Sequence, residues 1–218
     1  MAGPRLIAAW SLRRYAAHVD VAGLEHVPRE GGVLIVARHY HHLLDGAVAH
    51  AHLPRPLHIV VALDWTTTAR ERRWMERACR WAGYPVILRP ATTGSAGGYD
   101  AIEVRRYLRS GLRDAAALLR AGRVVLVFPE GYPVVDPTAT AATPRDRDAD
   151  GMLPFAEGFR TIARLAGTAP AIVPLGFRYE RDGARWRIAA RFGPHLRDDV
   201  PAAEVERTVR ALSSARIA

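Results

Sequence analysis

The chain has 218 residues, of which 49% are hydrophobic and 24% are charged, and its formal net charge is +9. This balance excludes a disordered or fibrous protein, and the length suits one domain with a well-buried core. All 31 basic residues are arginines, and because a guanidinium group matches phosphate oxygens bidentately, partners that carry phosphate are favoured.

The cysteine content and the hydropathy pattern limit where the protein can function. Cys79 is the single cysteine, so an internal disulfide and a thiolate zinc cluster are excluded and a reducing compartment is expected. The sequence contains no uncharged apolar run of about 18 residues, the length that a membrane-spanning helix needs. We therefore expect a chain that does not cross a membrane.

Residues 1–18 are predicted to form a short amphipathic helix. Leu6, Trp10 and Tyr15 would lie on one face of it, with arginines along the border. Such a helix is typical of an anchor at a membrane interface, and it is equally typical of a helix that packs on its own domain. The pattern alone leaves both interpretations open.

Residues 19–218 are predicted to form one domain. Apolar runs rich in β-branched residues indicate strands that are buried on both faces, and these runs are 33–37, 57–61, 85–89, 124–128, 171–179 and 185–192. Apolar residues at helical spacing predict helices over 68–82, 104–122, 155–167 and 201–213, and a long polar loop, a candidate lid, over 133–154. The alternation predicts an α/β fold, a single layered domain in which helices cover a mostly buried mixed sheet.

A histidine and an aspartate occupy positions that suit catalysis. His39 follows the first of these strands directly, and Asp45 lies six residues later, where a helix is expected to begin. An imidazole can take a proton from a hydroxyl group, and a carboxylate bound to its second nitrogen fixes the tautomer and stabilises the imidazolium. The pair predicts a general base, while His41, His42 and His50 also fit a surface cluster or a metal site.

A second candidate segment follows the strand 124–128. Pro129, Glu130 and Gly131 would present a carboxylate and a flexible backbone at the edge of the sheet. Pro-Glu-Gly also occurs in ordinary turns, so this segment does not identify a site by itself.

Four segments occur in the order found in one known family. They are 21–39, which ends in His39; Gly83 to Arg89; Phe128 to Gly131; and Val173 to Leu175. Segments 150–158 and 192–194 match the same family, and the similarity covers roughly residues 19–213. The sequence thus resembles the glycerolipid acyltransferases, that is, the lysophosphatidic acid acyltransferases and their relatives.

This resemblance implies an O-acyltransferase that moves a fatty acyl group from an acyl thioester to a hydroxyl of a lysophospholipid or related lipid, in phospholipid biosynthesis. The donor would be acyl-CoA or acyl carrier protein, and no other cofactor and no metal is expected. The resemblance implies catalytic roles for His39 and Asp45 and assigns Arg89 to the acceptor phosphate. The other expected substrate-binding residues are Pro129, Glu130 and Gly131.

The resemblance also implies a mechanism and a location. His39 would deprotonate the acceptor hydroxyl, the oxygen would attack the thioester, and backbone amides near Gly131 would stabilise the oxyanion. The expected partners are the thioester donor, the lipid acceptor and a membrane surface, but not nucleic acid, because no binding motif accompanies the spread of arginines. The protein is expected in the cytoplasm, peripheral on the inner face of the membrane.

The first departure from the family pattern concerns the spacing of the candidate base. Five residues separate His39 from Asp45, where the family has four, and starting from His41 would leave three. Either histidine could therefore be the base. A one-residue bulge before the helix could restore the contact of His39.

The second departure follows the Pro-Glu-Gly segment. The family usually continues with Thr or Ser and then Arg, whereas Tyr132 and Pro133 stand here. Arg145, Arg147 or Arg160 could supply the missing charge, or the acceptor could differ from lysophosphatidic acid.

Three other functions compete with acyl transfer. Asp146, Asp148, Asp150, Gly151 and Glu157 have the spacing of a calcium-binding loop, although the preceding residues are poor helix formers. A catalytically inactive relative could bind lipid, and a thioesterase would use the same groups with water as the acceptor.

Overall fold

A computed structural model describes residues 2–89, 99–137 and 147–214. Within these residues the helices are α1 (Ala2–Tyr15), α2 (Leu44–His52), α3 (Ala69–Ala82), α4 (Ala101–Arg120), α5 (Gly158–Ala166) and α6 (Ala202–Ser213). The strands are β1 (Ala16–Ala22), β2 (Val33–Ala37), β3 (Leu57–Ile59), β4 (Val61–Ala62), β5 (Val86–Ile87), β6 (Val124–Val127), β7 (Ala171–Asp182) and β8 (Arg185–Phe192).

Among the described residues, the main sheet has six strands in the order β1-β8-β7-β2-β6-β3. Neighbouring strands are parallel except β7 and β8, which form an antiparallel hairpin. β4 and β5 form a separate parallel pair. β2 lies between β7 and β6, and all five of its residues are buried, as its continuous apolar run predicts.

Helices cover both faces of the main sheet. The odd-numbered residues of β2, such as Ile35, belong to one core cluster together with Leu44 and Val48 of α2. The even-numbered residues, such as Leu34, belong to a second cluster built largely from α4, α5 and α6. The predicted fold, a single α/β domain whose mixed sheet is covered by helices, is confirmed.

Local signals account for several helix ends. The Thr68 side chain accepts a hydrogen bond from the Glu71 N–H at the start of α3, and Gly83 ends that helix with φ +70°. Asp100 and Glu103 form a reciprocal capping box at the start of α4. These residues fix the helices on either side of β5.

Two features differ from the predicted elements. The predicted strand 57–61 divides at Val60 into β3 and β4, which belong to different sheets. β1 was not predicted; it begins at Ala16, within the range 1–18 assigned to the first helix, and pairs with β8. Both features depend on contacts between residues distant in sequence, which local patterns do not encode.

α1 packs against α2 and leaves its larger apolar residues exposed. Ala8 and Ser11 are buried, whereas Leu6, Ile7 and Trp10 are exposed. In the described part of the chain, each helix is too short or too polar to cross a bilayer.

Candidate active site

The candidate residues meet at one edge of the main sheet. β2 and β6 are parallel neighbours in register, so their carboxyl ends lie side by side. His39 follows β2, and Phe128 follows β6. The two rings stack with their centres 4.1 Å apart, so the two predicted segments are brought together.

The structure places the imidazole of His39 against the carboxylate of Asp45. His39 Nδ1 lies 3.0 Å from Asp45 Oδ2, and the Asp45 side chain is fully buried. The extra residue between them is accommodated by a loop that folds around the carboxylate. The backbone N–H groups of Tyr40 and His41 donate to Asp45 Oδ2 at 2.7 and 2.9 Å.

A tyrosine outside the recognised motifs binds the other oxygen of this carboxylate. The Tyr179 hydroxyl, on β7, donates to Asp45 Oδ1 at 2.6 Å. Burial first, and then the Asp45 charge, raise the pKa of Tyr179 well above its usual value, so the hydroxyl stays protonated. The ring of Tyr179 stacks on that of Tyr40. In sequence, Tyr179 is one more residue of an apolar strand, and no signal marked it.

His41 has a different role from His39. Its ring Nδ1 accepts hydrogen bonds from the N–H groups of Leu43 and Leu44 at 3.3 and 3.4 Å. These groups lie at the start of α2, where backbone donors lack helical partners. Burial is the main reason that the pKa of His41 is lowered to about 4, so the ring is neutral at physiological pH.

Glu130 holds the loops of the site together. Its carboxylate accepts the His39 N–H at 2.7 Å and the Leu153 N–H at 2.9 Å, and Arg147 lies 3.6 Å away. Burial raises the pKa of Glu130, and these backbone hydrogen bonds oppose the shift. The carboxylate therefore fixes the backbone of the candidate base as well as lining the cleft described below.

Pro129 and Gly131 form the turn next to His39. The Pro129 carbonyl accepts the Ala156 N–H at 3.2 Å. Gly131 has φ +74°, a conformation that favours glycine, and its N–H donates to the Phe128 carbonyl at 3.0 Å. The Gly131 amide is therefore engaged within the turn.

Arg89 lies against this turn. Its Nε and Nη2 atoms donate to the two carboxylate oxygens of Asp64 at 2.6 and 2.7 Å, and Nη1 donates to the Gly131 carbonyl. The guanidinium carbon lies 3.5 Å from the centre of the Tyr132 ring. Tyr132, which stands where the family usually has Thr or Ser, thus supports the predicted phosphate-binding arginine. Asp64 carried no sequence signal.

Two of the three arginines considered as replacements for the missing charge have other partners. Arg147 donates to the carbonyls of Tyr132, Pro133 and Gly151 at 2.9 to 3.1 Å. Arg160 pairs with Glu157 at 3.0 Å. Arg145 lies outside the described residues, as does the middle of the predicted lid.

The described acidic residues of the calcium-like segment are paired with arginines. Arg210 lies 2.6 Å from Asp148 and 2.7 Å from Asp150, and Glu157 pairs with Arg160. Asp146 lies outside the described residues. Across the part of the chain that the structure describes, no group of three metal-binding side chains is assembled.

Two cavities adjoin beside His39. A cleft of about 520 Å³ is lined by His39, Arg89, Glu130 and Gly131 together with apolar residues of α4 and α5. A second cavity of about 370 Å³ is mostly apolar and lies between α1, α2 and α3. The residues common to both linings are His42, Ile59, Val61 and Phe128.

Comparisons with known proteins agree with this architecture. The family model described as Acyltransferase matches residues 18–178, while no curated protein matches the chain. Among solved structures, the chain is similar to the 1-acyl-sn-glycerophosphate (LPA) acyltransferase PlsC from Thermotoga maritima, with a TM-score of 0.63 and 15% identity. The match covers 99% of this chain and 80% of that one. The predicted fold agrees with the fold of that solved structure. The predicted class of enzyme, an acyltransferase, is confirmed, and the chain belongs to the acyltransferase family.

Proposed function

We propose that the protein transfers a fatty acyl group from an acyl thioester to a free hydroxyl of a lysophospholipid or related lipid. The observation that carries this proposal is the His39–Asp45 pair, 3.0 Å apart, in a cleft that adjoins an apolar cavity. A base beside an apolar cavity suits a reaction in which both substrates carry long acyl chains.

The geometry supports a direct transfer. His39 Nδ1 faces Asp45, so Nε2 takes the proton from the acceptor hydroxyl, and the oxygen attacks the thioester carbonyl. A new ester bond forms, the carbon–sulfur bond breaks, and the thiolate leaves with the proton that His39 returns. Asp45 holds the imidazole in orientation and stabilises its charged form, as an aspartate does in a hydrolase triad.

The cavities suggest how the substrates bind. The apolar cavity of about 370 Å³ suits an acyl chain, because burial of each methylene contributes about 0.8 kcal/mol. Arg89, fixed by Asp64 and the Gly131 carbonyl, is the proposed contact for an acceptor phosphate. The Gly131 amide is not proposed as an oxyanion donor, because its N–H donates to the Phe128 carbonyl within the turn.

The proposal extends to the place where the enzyme works. α1 exposes Leu6, Ile7 and Trp10 beside Arg13 and Arg14, a combination that favours the surface of an anionic bilayer. We place the protein on the inner face of the cytoplasmic membrane, in phospholipid biosynthesis, with acyl-CoA or acyl carrier protein as donor.

Product analysis tests the proposal. The purified protein is incubated with a radiolabelled long-chain acyl thioester, from either donor class, and with lysophosphatidic acid or another lysophospholipid in mixed micelles. Acyl transfer predicts label in the diacyl lipid that increases with acceptor concentration. Label released only as free fatty acid would indicate a thioesterase, and no turnover with any pair of substrates would indicate an inactive lipid-binding relative.

A further inference from the structure

The exposed face of α3 is composed of two residue types. From residue 70 to residue 81 the exposed side chains are Arg70, Arg73, Trp74, Arg77, Arg80 and Trp81. Trp74 and Trp81 are each 67% exposed and lie seven residues apart, on one side of the helix. The acidic residues Glu71 and Glu76 are only partly exposed.

Most of the packing of α3 on the domain is made by its other side. Cys79 and Ala82 are buried on that side, and Met75 packs with Cys79 in the small cluster beside β4 and β5. Two large indole rings left in water cost solvation free energy that burial would recover. Tryptophan among arginines is typical of a bilayer interface, where the ring enters the headgroup region and the guanidinium contacts lipid phosphate.

α3 lies beside α1 at the apolar cavity. A Cβ atom on Gly3 would collide with the Trp81 ring, so the two helices are in close contact there. Pro4 and Ile7 of α1 line the same cavity as Met75 and Trp81 of α3. The exposed tryptophans of both helices, Trp10 and Trp74, therefore belong to the elements that enclose this cavity.

We infer that α3 is a second membrane-binding element, which docks on anionic lipid through Trp74, Trp81 and its exposed arginines. Bound at two helices, the domain would be held in one orientation, with the apolar cavity facing the bilayer from which its lipids come. This inference goes beyond the proposed function, in which α1 alone meets the membrane. It rests on that function only for the choice of a bilayer as partner.

The positive charge of the exposed α3 face favours an anionic bilayer over other partners. Four arginines within about three turns of helix attract the negative surface potential of a bilayer that contains phosphatidylglycerol. A second copy of the chain would bring arginines against arginines, which is unfavourable for association. Nucleic acid would satisfy the arginines, but its phosphate backbone offers no apolar phase for the tryptophans.

Vesicle flotation with the full chain tests the inference, with Trp74→Ser and the charge-reversal pair Arg73→Glu with Arg77→Glu. The vesicles contain phosphatidylcholine alone or with phosphatidylglycerol. We expect the charge-reversal pair to weaken binding to the anionic vesicles about tenfold or more at low salt, with a smaller effect at high salt. Trp74→Ser should weaken binding to them severalfold at both salt concentrations, because its contribution is apolar.

Matched controls exclude a general effect of surface charge or apolarity. Arg109→Glu with Arg113→Glu reverses an exposed pair of the same spacing on α4, and Leu165→Ser removes an exposed apolar residue of α5. Both controls should bind vesicles like the unmodified protein, and all variants should keep its melting transition. Wild-type binding by the α3 variants would overturn the inference, as would a dimer in lipid-free solution that Trp74→Ser abolishes.

A turnover measurement separates this inference from the proposed function. Trp74→Ser should retain activity toward a short-chain thioester and a dispersed acceptor, and lose activity only on vesicle-embedded acceptor. If the protein shows no acyl transfer at all, the flotation results still decide whether α3 binds lipid.

Discussion

The Tyr179 hydroxyl donates a 2.6 Å hydrogen bond to the Asp45 carboxylate oxygen that does not contact His39. Asp45 Oδ2 accepts from His39 and from two backbone N–H groups, while Oδ1 accepts from Tyr179. The carboxylate is thus held from both sides. Tyr179 is a positioning residue, because it reaches His39, the proposed base, only through Asp45.

Removal of this hydroxyl should slow turnover without unfolding the protein. We expect Tyr179→Phe to lower kcat about tenfold and to change KM little, because a hydrogen bond to a charged group contributes roughly 1.5–3 kcal/mol. Steady-state kinetics with a thioester donor measure both constants. Tyr107→Phe, which removes a hydroxyl that donates to Glu76 between α4 and α3, is the control and should leave kcat unchanged.

Removal of the Asp45 carboxylate should impair both stability and turnover. Asp45→Ala would leave the buried donors of Tyr40, His41 and Tyr179 without their acceptor, and we expect a loss of about 3 kcal/mol or more in the free energy of unfolding. Denaturant unfolding measures this loss. Unchanged unfolding would show that the carboxylate does not organise the loop.

A double substitution separates the structural role of Arg89 from its proposed role in phosphate binding. Arg89→Leu alone should destabilise the protein by about 3 kcal/mol, because it leaves the buried Asp64 carboxylate unpaired, and it should raise KM for a phosphate-bearing acceptor. Adding Asp64→Asn should restore much of the stability but not the KM. Recovery of KM in the double variant would show that Arg89 supports the cleft without binding phosphate.

Acid should destabilise the protein through two buried histidines. Burial lowers the pKa of His41 and of His50 to about 4, from an ordinary value of 6.5. At a pH between these two values, the unfolded chain binds more protons than the folded protein. The free energy of unfolding therefore falls as the pH falls from about 6.5 towards 4. Denaturant unfolding across this range measures the slope, which His41→Asn should reduce.

The sequence predicted the ends of the strands better than the contacts made across them. The apolar run 33–37 followed by His39 was sufficient to place the candidate base at the edge of the sheet. The spacing to Asp45 could not decide between His39 and His41, because the loop around the carboxylate is closed by backbone N–H groups and by Tyr179, 134 residues away. Only the folded chain shows which ring meets the carboxylate.

The roles of polar residues in loops were also beyond the sequence. Arg147 was considered as a phosphate ligand, but it binds carbonyls of the turn after Gly131. Asp64 follows a two-residue strand and pairs with Arg89, 25 positions later. Pairings of this kind depend on the packing of β4 beside β5, which carries no local signature.

The most direct test of His39 as the general base compares His39→Ala with His41→Ala in one acyl-transfer assay. Both histidines lie close to Asp45, but only the His39 ring contacts its carboxylate, whereas the His41 ring binds amides at the start of α2. We predict that His39→Ala loses at least a hundredfold in kcat while keeping its melting transition, since general base catalysis contributes about 10²–10⁴-fold. His41→Ala should be less stable but retain most of its turnover per folded molecule. Near wild-type turnover by His39→Ala, or loss of turnover by folded His41→Ala alone, would contradict the assignment.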